Sequence, residues 1–380
     1  MSRKLKHVQV KEALREHIRT RHPVGSKIPS TTDLHKTFGV SQGTINRALR
    51  DLVEEGIIER FEGRGTFVSR GNKHRGFLWP DGMRQWSKDP YPAGILHAAE
   101  QESHRRKKHI LVGAVRDSMN PEFTGEGSSK VAGVMILFNH DHRVVEEYHR
   151  RHVPVVLVDP LVRTTGVPFV TSDHFSAGRE ATSHLIRLGH RRIVHVSLRF
   201  PFSSLPVEER ILGYKEAMRE SGLEETTRVH VTSPLQAEGV ESQEERAGRE
   251  ASIGQFLEML ETVQPTACFC YDDLLAASVI HVFHDNGIRV PDDVSVVGIN
   301  DGGMATQIWP ALTTVHLPVD EIGEAAVRML DTLIEHDQLT GGGEILGVHL
   351  VERASTNRPP DERVVQRLPN EAAEEVVTRE

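Results

Sequence analysis

No stretch of the 380-residue chain approaches the roughly 18 consecutive apolar residues that a membrane-spanning helix requires. The opening residues, Met1-Ser2-Arg3-Lys4-Leu5-Lys6, are basic but lack the apolar run of a secretory signal. Cysteine is nearly absent. The two present, Cys268 and Cys270, are one residue apart in an apolar run, where a disulfide does not form easily. A disulfide-stapled scaffold is thereby excluded, and a reducing cytoplasm is the expected location. The chain also lacks a G-x-S-x-G elbow, a Walker loop, a zinc motif and any visible nucleophile–base set. Its 22 histidines show no metal-ligand spacing. His140-Asp141-His142 and the basic run from His104 to His109 read as solvated charge. No catalytic residue, metal or cofactor is expected.

The length implies two or three domains. Residues 1–75 hold 16 Lys and Arg against 8 Asp and Glu, a net of +8; the remaining 305 hold 30 against 46, a net of −16. A basic head on an acidic body points to a polyanionic partner for the head alone.

Val10, Leu14 and Ile18 recur at spacing four and predict an amphipathic helix over residues 8–21, ended by Pro23 and Gly25. Ser30 is a good N-cap with Asp33 three residues on, as in a capping box. Leu34 and Phe38 give this second helix a buried face, and Gly39 stops it. Ser41 caps a third helix whose core stripe reads Ile45, Leu49, Leu52 and Val53. Gly56 ends it. Ile57 to Phe61 and Thr66 to Val68 then form a hairpin around Glu62-Gly63-Arg64-Gly65. Helix, tight turn, helix and hairpin in that order describe a winged helix-turn-helix, which places one helix in a DNA major groove.

Ile28-Pro29-Ser30, Gly39-Val40-Ser41, Thr44-Ile45-Asn46-Arg47-Ala48-Leu49, Glu55-Gly56 and Gly63-Arg64-Gly65-Thr66-Phe67-Val68 together resemble the DNA-binding head of GntR-type transcription regulators. The resemblance covers about 60 residues. It implies that the third helix reads the major groove and the wing tip enters the minor groove. The family usually carries arginines where Thr32, Gln42 and often Asn46 stand here. Arginine reads guanine, whereas Gln and Asn read adenine. In that register Gln42 and Asn46 predict an operator richer in A·T at the contacted positions; the alternative is that they bind phosphates or nothing. Arg64, flanked by glycines with Gly65 beside it, suits a narrow minor groove. Lys27, Ser30, Thr31, Thr32, Ser41, Thr44, Arg47 and Arg50 complete the expected DNA contacts, and backbone positioning is assigned above all to Lys27, Thr31, Thr44, Arg47 and Arg50. Ser69 to Arg75 reads as a polar basic linker.

From Gly76 the pattern changes to alternating strands and helices, which implies parallel sheets with ligands beyond the carboxyl ends of the strands. Thr171-Ser172-Asp173 through Gly178, then His184-Leu185-Ile186-Arg187-Leu188-Gly189-His190, Glu209-Arg210-Ile211-Leu212-Gly213-Tyr214, Val290-Pro291-Asp292-Asp293-Val294 through Asn300-Asp301, Pro310-Ala311-Leu312-Thr313-Thr314-Val315 and Leu350-Val351-Glu352-Arg353-Ala354-Ser355-Thr356 resemble the LacI/GalR regulators and the related periplasmic sugar-binding proteins. That likeness implies an α/β fold of two doubly wound parallel lobes, periplasmic-binding-protein-like, behind the N-terminal winged helix domain. The expected division is a head over 1–68, a linker over 69–75, a ligand-binding body over 76–357 and a disordered tail over 358–380. Lobe 1 would hold about 76–173 and 316–340, lobe 2 about 174–315 and 344–357, with chain crossings near Asp173, near Val315 and at Gly341-Gly342-Gly343. The acidic run Gln236 to Glu250 reads as a loop insertion.

The LacI/GalR resemblance places Arg210 at a sugar-contacting position. Asp272 stands where that family usually has Asn, and Asn300 where it usually has Asp, so both can hold hydroxyls. Asp272 and Asp301 serve equally well as helix caps or structural links. Asp159, after Val155-Val156-Leu157-Val158, is a further candidate, and Trp86 or Tyr91 could stack on a ligand or lie at a surface or dimer contact. The two resemblances together are similar to arabinose-type repressors. They imply a cytoplasmic, homodimeric repressor that binds double-stranded operator DNA under the control of a small-molecule effector, a sugar or derivative. A sugar-binding transport component and a two-lobed enzyme are the rival readings.

Overall fold

A computed structural model of the chain describes residues 3–23, 26–61, 64–69, 74–79, 90–115, 131–139, 141–151, 153–200, 204–233, 235, 242–336 and 342–360. Among the described residues, no helix is long and apolar enough to cross a membrane.

The head begins with α1 (Arg3–Arg21), whose Val10, Leu14 and Ile18 are buried. Ser30 caps α2 (Thr31–Phe38): its Oγ accepts the Asp33 N–H at 3.2 Å, and the Asp33 carboxylate accepts the Ser30 N–H at 3.3 Å. This reciprocal pairing satisfies two donors that the helix leaves without an internal acceptor. Gly39, at φ +64°, takes the left-handed turn that lets α3 (Gln42–Glu54) start within three residues. The wing pairs β1 (Ile58–Phe61) with β2 (Gly65–Val68), antiparallel, from Ile58↔Val68 to Phe61↔Gly65. Leu14, Leu34, Ile45, Leu52 and Ile58 meet in one core, each full burial stabilising by about 1.5–3 kcal/mol. Val53 does not belong to that core; it is 39% exposed, because Leu49 and Leu52 already fill the inward stripe. Glu55, at the end of α3, receives Lys11 Nζ at 2.8 Å and Arg15 Nη2 at 2.5 Å, which ties α1 to α3.

Beyond the head run β3 (His74–Trp79), α4 (Pro90–Arg105), β4 (His109–Ala114), β5 (Val131–Leu137), α5 (His142–Arg150), β6 (Val155–Val158) and β7 (Phe169–Ser172). The chain then gives α6 (His174–Leu188), β8 (Ile193–Leu198), α7 (Leu205–Glu220), β9 (Arg228–Thr232), α8 (Gln243–Val263), β10 (Ala267–Cys270), α9 (Asp273–Asp285), β11 (Ser295–Asn300), α10 (Met304–Gln307) and β12 (Thr313–His316). It closes with α11 (Val319–His336), β13 (Gly343–Leu346) and β14 (His349–Val351). Two six-stranded sheets result, in the orders β13-β7-β6-β5-β3-β4 and β14-β12-β11-β10-β8-β9. The pairs from β4 through β7 and from β9 through β12 are parallel, and β14 joins antiparallel. The central strands β6 and β10 are buried at every residue, as parallel strands covered on both faces must be. Cys268 and Cys270 are free buried thiols of β10, and burial pushes Cys268 up to about 12.

The described chain splits into two compact units. Residues 1–83, 96–170 and 323–343 form the first; 84–95, 171–322 and 344–380 form the second. Three details bear on the sequence expectations. β3 starts at His74, two residues inside the span read as linker. Gly343, the last residue of the glycine run, is also the first residue of β13, which pairs into the first sheet, and the two units divide between Gly343 and Glu344. The acidic run is no loop over its later part: Ser242 caps α8 in a capping box with Glu245, and Phe256 and Leu260 bury the helix further on. The first turns of α8 carry so many charges that their 3.6-residue period is hidden in the sequence.

Candidate nucleic-acid interface and ligand pocket

In the head, Gln42, Asn46, Arg47 and Arg50 are exposed on α3, as are Thr32, Ser41, Lys27 and Arg64 nearby in the chain. The core stripe holds one face of α3 against α1 and α2, which leaves the polar face free. Ser41 Oγ accepts the Thr44 N–H at 3.2 Å and lies 2.9 Å from the Thr44 hydroxyl, so both serve the helix start. Thr31 Oγ1 donates to Asn46 Oδ1 at 3.5 Å, which links the first turn of α2 to the exposed face of α3. Ser30 is occupied by its capping box. On the wing, Arg64 lies over the Phe61 ring at 5.8 Å. Gly65, at φ +112°, has the Lys27 Cε where a Cβ would sit, 2.5 Å from it. The lysine chain thus lies against the turn end of the hairpin, and a side chain at Gly65 would have to displace it as well as adopt the positive φ.

The second unit gathers polar groups at the carboxyl edge of its sheet. Arg210 on α7 is 3% exposed. Its Nη1 donates to the Tyr271 carbonyl at 2.6 Å, its Nη2 to His174 Nδ1 at 3.3 Å, and its guanidinium covers the Tyr271 ring at 4.3 Å. Its Nε has no hydrogen-bond partner among the described residues. Asp272 follows Tyr271 and caps α9, accepting the Leu275 N–H at 2.7 Å. The capping alternative is thus realised at this position. Burial raises the Asp272 carboxyl, opposed by that hydrogen bond and by Arg210.

A pocket of about 300 Å³ lies within this unit. Tyr91 and Asn300 line it together with Asp301, Gly302, His316 and the start of α11. Asp301 is held by Arg353 Nη2 at 2.5 Å and His316 Nδ1 at 3.2 Å, which is its structural role. The sequence candidates therefore fall into two groups: Arg210 with Asp272, and Tyr91 with Asn300. Asp159 directly follows β6 in the first unit, buried and at φ +45°. Trp86 lies outside the described residues.

Sequence reasoning misses three buried serines and an asparagine. The hydroxyls of Ser172, Ser197 and Ser204, and Asn139 Nδ2 in the first unit, have no partner among the described residues. Ser172 ends β7, Ser197 is the penultimate residue of β8, Asn139 follows β5, and Ser204 stands before α7 without using its side chain as a cap. Buried polar groups ordinarily find partners, so each of these, taken within its own unit, is an exception. The signal available in the sequence is Ser204-Leu205-Pro206, a cap position followed by proline, which marks the helix start but not the unused hydroxyl.

Residues 6–68 match the bacterial regulatory proteins of the gntR family, and residues 182–356 match the periplasmic binding protein-like domain. Catabolite control protein A of Priestia megaterium is 36% identical over 319 residues, spanning 78% of this chain and 90% of that protein. The chain belongs to the transcriptional regulators that join a GntR-type DNA-binding head to a LacI-type, periplasmic-binding-protein-like body. It is a regulator and not an enzyme. The arabinose metabolism transcriptional repressor of Geobacillus stearothermophilus is 28% identical over 354 residues, 87% of this chain and 91% of that one. The fold matches the transcriptional regulator CelR–cellobiose complex at a TM-score of 0.64 and 23% identity, over 86% of this chain and all of that one.

Proposed function

We propose that the protein is a homodimeric repressor in the cytoplasm that binds a near-palindromic operator and responds to a sugar. The observation that carries the sugar assignment is Arg210: a buried guanidinium with an unused Nε, next to the Tyr271 ring and the Asp272 cap. Such a group suits the vicinal hydroxyls of a sugar, whose C–H face an aromatic ring covers. Relatives that include an arabinose metabolism transcriptional repressor and a ribose operon repressor support this class. Lys27, Gln42, Asn46, Arg47, Arg50 and Arg64 contact the DNA, with Gln42 and Asn46 reading adenine. Two heads are required, since one α3 offers only those two base readers. To regulate, the sugar must favour one dimer geometry over another; a coupling of about 1–3 kcal/mol shifts operator affinity roughly 5–150-fold.

Gel-shift titration with genomic fragments, repeated with L-arabinose, D-ribose and cellobiose, tests this reading. A sequence-specific complex at physiological salt whose midpoint moves with one sugar is expected. Absence of any specific complex removes the operator reading. A specific complex indifferent to all three removes these sugars as effectors.

A further inference from the structure

Asp273, the first residue of α9, is buried and has no cationic partner among the described residues. Its Oδ1 accepts the Thr314 hydroxyl at 2.5 Å, and its Oδ2 accepts the Gly302 N–H at 3.1 Å. One carboxylate thereby joins the start of α9, the turn after β11 and strand β12. The strand between makes room for it. A Cβ on Gly298 would lie 2.3 Å from Asp273 Oδ1, so this position of β11 must be glycine for the carboxylate to pass. The turn it grips is strained: Asn300 sits at φ +131° and Asp301 at φ +58°, conformations that cost a non-glycine residue about 1–3 kcal/mol each. Asn300, Asp301 and Gly302 are also one wall of the 300 Å³ pocket.

We propose that Asp273 is the positioning residue of that wall: its carboxylate holds the Asn300–Gly302 turn in its left-handed course and so sets how the pocket presents Asn300 and Asp301 to the ligand. The inference rests on the sugar reading for the ligand, but not for the turn. Burial supports it from another side, since it holds the Asp273 carboxyl up at about 7. A carboxylate this costly to bury contributes little to stability. Its two acceptor bonds to the turn and to β12 are what it provides in return.

The test uses the full-length chain and four variants. Asp273→Ala removes both acceptors. Asp273→Asn keeps one for the Gly302 N–H and turns its amide toward the Thr314 oxygen. Asp273→Ala with Thr314→Val removes the hydroxyl that the single change leaves unpaired, so it regains stability without regaining the grip on the turn. Tyr214→Phe, which loses bonds to the Ile193 and Arg228 carbonyls, is a destabilised control away from the pocket. Hydrogen exchange at the Gly302 amide is the first readout. It should quicken about tenfold or more in Asp273→Ala and in the double variant, and stay near wild type in Asp273→Asn and Tyr214→Phe. The second readout is affinity for whichever of L-arabinose, D-ribose or cellobiose shifts the wild-type operator complex. It should fall about tenfold in Asp273→Ala and the double variant and recover in Asp273→Asn, as the loss of a hydrogen-bonded positioning group implies. Unchanged Gly302 exchange in a folded Asp273→Ala overturns the proposal, as does a sugar affinity that tracks stability across all four variants. A wild type that responds to none of the sugars counts against the sugar reading alone, and the Gly302 exchange then decides the inference.

Discussion

The guanidinium of Arg210 stacks on the ring of Tyr271 and donates to the carbonyl of the same residue at 2.6 Å. Two attachments to one residue fix the fork in a single orientation and leave its buried Nε without a hydrogen-bond partner among the described residues. Arg210→Lys keeps the charge but has neither the plane nor the fork of separate nitrogens. We expect sugar affinity to drop about tenfold or more while operator binding without sugar is retained. Isothermal titration for the sugar and gel shift for the operator measure the two separately. Loss of operator binding in a folded Arg210→Lys would contradict the division between head and body.

The head yields a contrast between two substitutions. Gln42 is exposed on α3, and Arg64 is exposed on the wing. Gln42→Ala should cost about 1–3 kcal/mol on the preferred operator and relax the choice of one base pair. Arg64→Ala should weaken binding to every sequence and reduce the dependence of log affinity on log salt by about one counterion. Binding-site selection and salt titration distinguish the two. Asn46 should resemble Gln42 only in part, because its Oδ1 already accepts from Thr31.

Much of the head is legible in the sequence because its signals are local. Ser30 with Asp33, Gly39 and Ser41 each specify a cap through chemistry within four residues, and each forms. Val53 misleads because it continues the apolar character of Leu52 while pointing one position further round the helix. In the body, Arg210 and Asn300 are reached through spaced motifs, but the start of α8 is not. Its capping box, Ser242 with Glu245, is visible in principle, yet the charges after it mask the apolar face that begins at Ile253. Ser197, Ser204 and Asn139 are out of reach for another reason. Whether a buried serine or asparagine is left without a partner is set by tertiary packing, and no residue pattern encodes that.

Acid should loosen the second unit. His190 is buried between Thr266, whose hydroxyl lies 2.9 Å from Nδ1, and the Asn357 carbonyl, 2.9 Å from Nε2. Burial lowers it to about 4, against a partial opposing effect of the Asn357 bond. Because the folded chain favours the neutral ring, its contribution is complete above the ordinary histidine value of about 6.5 and is lost as pH falls toward 4. Burial lowers His195, to about 3, and His184 in the same direction. The melting temperature should therefore fall between pH 7.5 and pH 5. His190→Gln should melt lower than wild type at pH 7.5 yet lose less on acidification, since a tenfold difference in proton affinity between folded and unfolded chain is worth about 1.4 kcal/mol. Thermal unfolding at the two pH values checks both parts; an equal loss in wild type and variant would assign the acid sensitivity elsewhere.

The last prediction concerns how α7 delivers Arg210. A Cβ on Gly213 would lie 2.0 Å from the Phe175 carbonyl oxygen, and one on Gly178 would lie 2.2 Å from the Arg210 carbonyl oxygen. The obstacles are backbone atoms of α6 and α7, so no rotamer change relieves them. The two helices approach this closely only because both positions are glycine. Gly213→Ala must push α7 away from α6, and overpacking of this kind costs about 1–3 kcal/mol or more. The displacement also carries Arg210 off His174 and the Tyr271 carbonyl. Gly222→Ala, at φ +68° with open space around it, provides a comparison that strains the backbone without moving the helices. Gly213→Ala should lose sugar affinity beyond what its lower melting temperature explains, whereas Gly222→Ala should lose stability alone. If both variants keep the wild-type affinity once folded, Arg210 does not depend on the close approach of α6 and α7.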